Sequence, residues 1–79
     1  MEWIKIPIGG VVVKNDDQIV RVVIKRRRPI VKYKDCEFYA RSWQGTARQN
    51  GELVTWEFPM GPIRLIRIHN NRWISIVWK

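Results

Sequence analysis

Four consecutive cationic residues, Lys25, Arg26, Arg27 and Arg28, stand directly before Pro29 in this chain. A guanidinium group presents a planar fork of N–H donors that matches two oxygens of a phosphate at once. Lys32 and Lys34 follow, so that six positive charges fall within ten residues. The block predicts contact with a polyanion, because a hairpin tip carrying it could reach several phosphates together. A solvated loop and a nuclear localisation signal are alternatives that the same string satisfies.

The five tryptophans supply a second kind of contact, since an indole ring is well suited to stacking on a nucleic-acid base. Trp3 lies beside Lys5 in sequence, and a two-residue turn at Asn70-Asn71 would bring Trp73 onto the face of Arg64. We expect these two rings outside the main core, as stacking groups with a cation beside each. The other three share a face with apolar residues and are expected in the core: Trp43, Trp56 and Trp78. An exposed tryptophan can equally anchor a protein interface.

The segments that carry these groups are short, β-branched or aromatic, and separated by turn residues, which predicts an all-β chain. Residues 4–8 alternate with period two, and Gly9-Gly10 interrupts the strand before residues 11–13. Residues 18–25 form the next strand, with Val20, Val22 and Ile24 on one face. The basic block follows as a loop or hairpin tip, and residues 30–34 resume a strand.

Two further hairpins are predicted nearer the C-terminus. Asn50-Gly51 favours a type I′ turn, in which both central residues need positive φ. A two-residue turn there places Gly45 opposite Trp56 and Trp43 opposite Phe58.

A turn at Asn70-Asn71 sets Ile68 against Trp73 and Leu65 against Ile76. It leaves both faces of that hairpin largely apolar. Six or seven short strands without helices favour a small compact barrel, SH3-like or OB-like, or two packed antiparallel sheets, in one domain over residues 1–79.

Composition narrows the function classes. The chain has 79 residues, a net charge of +8 and 46% hydrophobic residues, and the last figure is too high for a disordered basic tail. No apolar run reaches the ~18 residues needed to span a bilayer, and Glu2 and Lys5 break any signal-peptide pattern. We therefore expect an intracellular protein, in the cytoplasm or nucleoid, without a membrane partner. Burial of large side chains must stabilise so small a domain, and homodimerisation is a second possible source of stability.

Few residues of the chain are of the types that carry out catalysis. His69 is the only histidine, and with Arg67 and Arg72 it is the basis of a weaker alternative, a minimal toxin-type ribonuclease. Cys36 is the only cysteine and is expected as a small core residue. We expect no catalytic residues, no cofactor and no metal site.

The sequence thus predicts a small basic nucleic-acid-binding protein, not an enzyme, that contacts DNA or RNA with little sequence preference. The expected contact residues are Lys25, Arg26, Arg27, Arg28, Lys32, Lys34, Trp3, Lys5, Arg64 and Trp73. The principal alternative is a protein-interaction module, a small regulatory or viral protein that uses a Trp-rich face.

Overall fold

The computed structural model describes residues 3–9, 11–14, 18–42, 54–69 and 72–79. Within these ranges the chain is all-β, as predicted, and contains strands but no helix. Accordingly, no helix in the described ranges is long and apolar enough to cross a membrane. The described strands, in chain order, are β1 (Ile4–Pro7), β2 (Val11–Val13), β3 (Ile19–Lys25), β4 (Arg28–Tyr33), β5 (Cys36–Tyr39), β6 (Arg41–Ser42), β7 (Thr55–Glu57), β8 (Ile63–Ile68) and β9 (Trp73–Trp78).

These strands form two packed antiparallel sheets, the second of the two predicted architectures. One sheet has five strands in the order β1-β9-β8-β7-β6, and the other has four in the order β2-β3-β4-β5. The chain passes between the sheets at two points, from β1 to β2 and from β5 to β6. Gly9, with φ +87°, lies at the first crossing, and Ala40 lies at the second. Each crossing splits one predicted strand into two, so the strand segments outnumber the six or seven expected.

Both sheets contribute to one hydrophobic core. Val20 and Val22 are fully buried, which confirms the predicted inward face of β3. Phe38 and Ala40 are half-buried and pack against the core from the second crossing. The buried core residues are Val12, Val20, Val22 and Val31 of the four-stranded sheet, with Phe58, Ile63, Ile66, Ile74 and Ile76 on the side of the five-stranded sheet.

Side-chain burial confirms two core predictions and overturns one. Trp56 is 9% exposed and belongs to the core, as predicted. Trp78 is half-buried and packs against the core cluster. Trp43 lies outside the described residues. The core prediction for Cys36 is wrong, because its side chain is exposed. Cys36 pairs with Tyr33 beside the β4–β5 turn, at the first residue of β5.

The predicted register around Trp56 is wrong. Trp56 pairs with Ser42, and Glu57 pairs with Arg41, three residues away from the register that a two-residue turn at Asn50-Gly51 would impose. Residues 43–53, which include that turn, lie outside the described residues. The observed register is supported by an ion pair between Arg41 Nε and Glu57 Oε1, at 3.1 Å. The observed pairing is therefore not the one that a two-residue turn at Asn50-Gly51 would impose.

The predicted register of the last hairpin is wrong by one residue. Ile68 pairs with Ile74 and Ile66 with Ile76, whereas the turn signal predicts Ile68 opposite Trp73. A one-residue slip moves every side chain of a strand to the other face. The observed register places these four isoleucines on one face, where Ile66, Ile74 and Ile76 are fully buried. Burial of the isoleucines thus decides the register.

Gly61 provides a test of packing at the end of the core. Its φ is +93°, and a Cβ at this position would lie 2.7 Å from Cγ of the Phe38 ring. We expect Gly61→Ala to lower the free energy of unfolding by about 2–5 kcal/mol, because overpacking against Phe38 adds to the cost of backbone strain.

Gly9 is the matched control, since its φ is +87° and nothing lies within 4 Å of the corresponding Cβ. Gly9→Ala should cost only the strain, about 1–2 kcal/mol. Denaturant unfolding measures the loss of unfolding free energy in both variants. Equal losses in the two variants would contradict the predicted clash with Phe38.

Candidate functional site

The basic block forms the tip of the β3–β4 hairpin, as predicted. Lys25 pairs with Arg28, and Arg26 and Arg27 are the two residues of the turn. Their φ values of 53° and 65° are those of a type I′ turn, which matches the twist of the two strands. Strongly apolar strands on either side fix the hairpin, so the four charges are presented together. All four side chains are exposed.

A groove of about 700 Å³ opens beside this tip on the outer surface of the four-stranded sheet. Tyr39 lies directly opposite Ile30 in the register of β4 and β5, and its ring is 64% exposed. The groove therefore joins cationic groups to an apolar and aromatic surface. Its lining residues are Lys25, Arg26, Arg28, Pro29, Ile30, Tyr39 and Ala40.

The cations of the tip have no acidic partner in the described part of the chain. No carboxylate there lies within ion-pair distance of Lys25, Arg26 or Arg27. The Arg28 guanidinium lies over the Trp56 ring, 5.9 Å from its centroid. This cation–π contact orients Arg28 without neutralising it. The tip thus concentrates uncompensated positive charge at one edge of the groove.

Lys32 has a different role from the tip residues. Its Nζ lies 3.4 Å from Glu37 Oε2, and the Tyr39 hydroxyl donates a hydrogen bond of 2.7 Å to Glu37 Oε1. The hydrogen bond from Tyr39, and then that from Lys32, holds the pKa of Glu37 below its usual value. The same bond raises the pKa of Tyr39. Lys32 therefore belongs to a network that fixes the Tyr39 ring beside the groove.

Lys34 lies apart from the tip. It occupies the β4–β5 turn with φ 55°, and its Nζ lies 5.3 Å from the centroid of the Tyr33 ring. The whole of β4 separates this turn from Arg28, a length of roughly 17–20 Å at the usual rise per residue of a strand. The six charges that are clustered in sequence thus divide between two ends of the sheet.

The predicted tryptophan sites lie on the outer face of the five-stranded sheet. Lys5 Nζ lies 5.2 Å from the centroid of the Trp73 ring, and Arg67 Cζ lies 4.4 Å from that of Trp3. Arg64 is exposed, but it lies near the start of β8, which pairs with the end of β9. Trp73 begins β9, at the opposite end of this strand pair, so the prediction that it sits beside Arg64 is wrong.

His69 lies on the same outer face as Trp3 and Trp73. Its Nε2 forms a hydrogen bond with Ser75 Oγ, and the ring is half-buried. Burial, followed by the positive charges of Lys5 and Arg67, lowers the pKa of His69 below its usual value. The imidazole is consequently neutral at neutral pH.

The lowered pKa of His69 predicts a loss of stability in mild acid. The unfolded chain takes up a proton at the ordinary imidazole pKa, whereas the folded chain binds it only at lower pH. Acid therefore favours unfolding in this window, and stability should fall as the pH drops from about 7 to about 5. His69→Gln should flatten this dependence. Thermal melts of both proteins across the range test it, and parallel curves would contradict the assignment.

Sequence reasoning missed two residues of these two surfaces, Tyr39 and Ser75. Tyr39 could have been found from the inward position of Phe38, because successive residues of a strand face opposite sides. Ser75 had no such signal, and Arg67 was grouped only with His69, since the proximity of both to Lys5 depends on the register of three strands.

Comparison with protein-family models, with curated proteins and with solved structures finds no match for this chain.

Proposed function

We propose that this chain is a small nucleic-acid-binding domain without catalytic activity. The β3–β4 hairpin tip contacts the phosphate backbone, and the adjacent groove accommodates an unpaired base. The observation that carries the proposal is the exposed run Lys25–Arg28, whose first three residues have no acidic partner among the described residues.

Physical chemistry links this surface to a polyanion. Each cation that contacts a phosphate releases condensed counterions, which supplies affinity without reading the sequence. A stacked base on an aromatic ring contributes about 1–3 kcal/mol in known single-strand binders. Tyr39 offers such a ring next to the cations, held in place by Glu37 and Lys32. The proposed binding is accordingly strong at low salt and tolerant of sequence.

A binding assay over a salt series tests the proposal. Fluorescence anisotropy with labelled single-stranded and duplex oligonucleotides of DNA and RNA should give affinities that fall linearly on a logarithmic scale with salt concentration. Tyr39→Leu should weaken single-strand binding more than duplex binding, because only an unpaired base can stack on the ring. Absence of binding at low salt would exclude the proposed function.

A protein-interaction module is the second candidate, favoured by one specific observation. Val13 and Ile19 pair directly on the outer face of the four-stranded sheet, and each is 58% exposed. Exposed apolar pairs of this kind are typical of protein contacts. Light scattering separates the two candidates. Self-association that is lost in a Val13→Thr, Ile19→Thr variant, without any affinity for oligonucleotides, would favour the interaction module.

A further inference from the structure

Three nitrogen-bearing residues surround Ser75 on the five-stranded sheet. Ser75 lies in the middle of a cross-strand row, with Lys5 of β1 on one side and Arg67 of β8 on the other. His69, which follows β8, reaches the same hydroxyl with its Nε2. Both cations are close enough to His69 to act on its charge state. We call Lys5, Arg67, His69 and Ser75 the Ser75 cluster.

Two tryptophans hold the cations of the Ser75 cluster in place. The Arg67 guanidinium stacks on Trp3 at 4.4 Å, and its Nε donates a hydrogen bond of 3.2 Å to Thr55 Oγ1. Lys5 lies over Trp73, which is 38% exposed. A guanidinium has five N–H donors, so the bond to Thr55 leaves most of them for a ligand. The cations are thus preorganised over the sheet.

The Ser75 cluster also lacks a counter-charge among the residues that the structure describes. No carboxylate there lies within ion-pair distance of Lys5 or Arg67. Two fixed cations, a histidine that can accept a proton and a hydroxyl therefore share one small area. Ser75 is only 7% exposed and its hydroxyl already bonds to His69, so the groups open to a ligand are the two cations and the imidazole. An anion with several oxygens bridges them, and a dianion does so best.

We propose that the Ser75 cluster binds the phosphomonoester group of a nucleotide, with the base packed against the exposed ring of Trp73. The site is on a different sheet from the hairpin tip, so it is a second site that recognises one terminal phosphate. The nucleotide is either free in solution or the phosphorylated end of a strand. In both cases the doubly charged phosphate sits between Lys5 and Arg67, above Ser75.

Titration with adenosine monophosphate, followed by tryptophan fluorescence, tests this site. Adenosine is the matched control, since it has the base without the phosphate. We expect adenosine monophosphate to bind at least about tenfold more tightly, in line with the strength of charge-assisted hydrogen bonds. Oligonucleotides with and without a terminal phosphate distinguish the strand end from the free nucleotide. Equal binding of adenosine and its monophosphate would overturn the proposal.

Variants locate the phosphate contact. Arg67→Gln should weaken binding of adenosine monophosphate about tenfold or more, whereas Arg27→Gln at the hairpin tip should leave it unchanged. If circular dichroism shows that Arg67→Gln impairs folding, the same titration is done with Lys5→Gln instead, because Lys5 lies on an exposed edge strand. The imidazole resonances of His69 should also report a raised pKa in the complex.

Equal losses in Arg67→Gln and Arg27→Gln would place the phosphate on the hairpin and overturn the proposal. Oligonucleotide binding without binding of the monophosphate would end this inference and leave the proposed function standing.

Discussion

Replacing Arg26 with Asn and Arg27 with Gly should weaken binding to every nucleic acid while leaving the fold at least as stable. Both arginines have positive φ, which costs an L-residue about 1–2 kcal/mol. Asn-Gly is the preferred pair for a type I′ turn, so the substitution relieves strain as it removes two charges. If both arginines contact phosphate, the slope of log affinity against log salt should decrease by about two units.

A control variant with the same loss of charge shows whether the effect is specific to the hairpin tip. Arg21→Gln combined with Arg64→Gln removes two exposed arginines that lie outside the hairpin tip and its groove and form no ion pair among the described residues. This control should keep most of the salt dependence of the wild type. Anisotropy titrations measure the slopes, and thermal melts confirm that both proteins are folded. The same change of slope in both variants would show that binding follows net charge and not the hairpin.

Trp56→Ala should destabilise the protein by about 3–5 kcal/mol, the usual cost of removing a large buried aromatic side chain. Trp56 is 9% exposed, pairs with Ser42 and Ile66, and lies beneath the Arg28 guanidinium. A domain of this size has a total stability of roughly 4–12 kcal/mol. The loss is therefore a large share of the total stability, and the variant should unfold at a much lower denaturant concentration than the wild type.

Trp73→Ala is the matched control for this prediction. Its side chain is 38% exposed and lies on the outer face of the five-stranded sheet, so the loss should be about 1–2 kcal/mol or less. Denaturant unfolding followed by circular dichroism gives both values. Comparable losses for the two tryptophans would contradict the assignment of Trp56 to the core and Trp73 to the surface.

Local patterns were sufficient to predict the strands and the hairpin tip. The alternation around Val20 and Val22 identifies the buried face of β3, because side chains in a strand face opposite sides with period two. The charges of Arg26 and Arg27 between two apolar strands predict an exposed turn, since burial of so many unpaired cations is prohibitive. These inferences need only neighbours in sequence. Many short strands without helices predicted an all-β domain, and left a small barrel and two packed sheets as alternatives.

Strand register and the composition of the surfaces were decided only by the tertiary structure. Ile68 pairs with Ile74 because that register buries the isoleucines of both strands, and the Asn-Asn signal alone predicts a different partner. Trp56 pairs with Ser42, a partner that the Asn50-Gly51 signal does not predict. Lys5 and Arg67 meet at Ser75 although more than sixty residues separate them in sequence. Each of these contacts depends on the simultaneous packing of several strands, so no window of the sequence contains enough information to predict it.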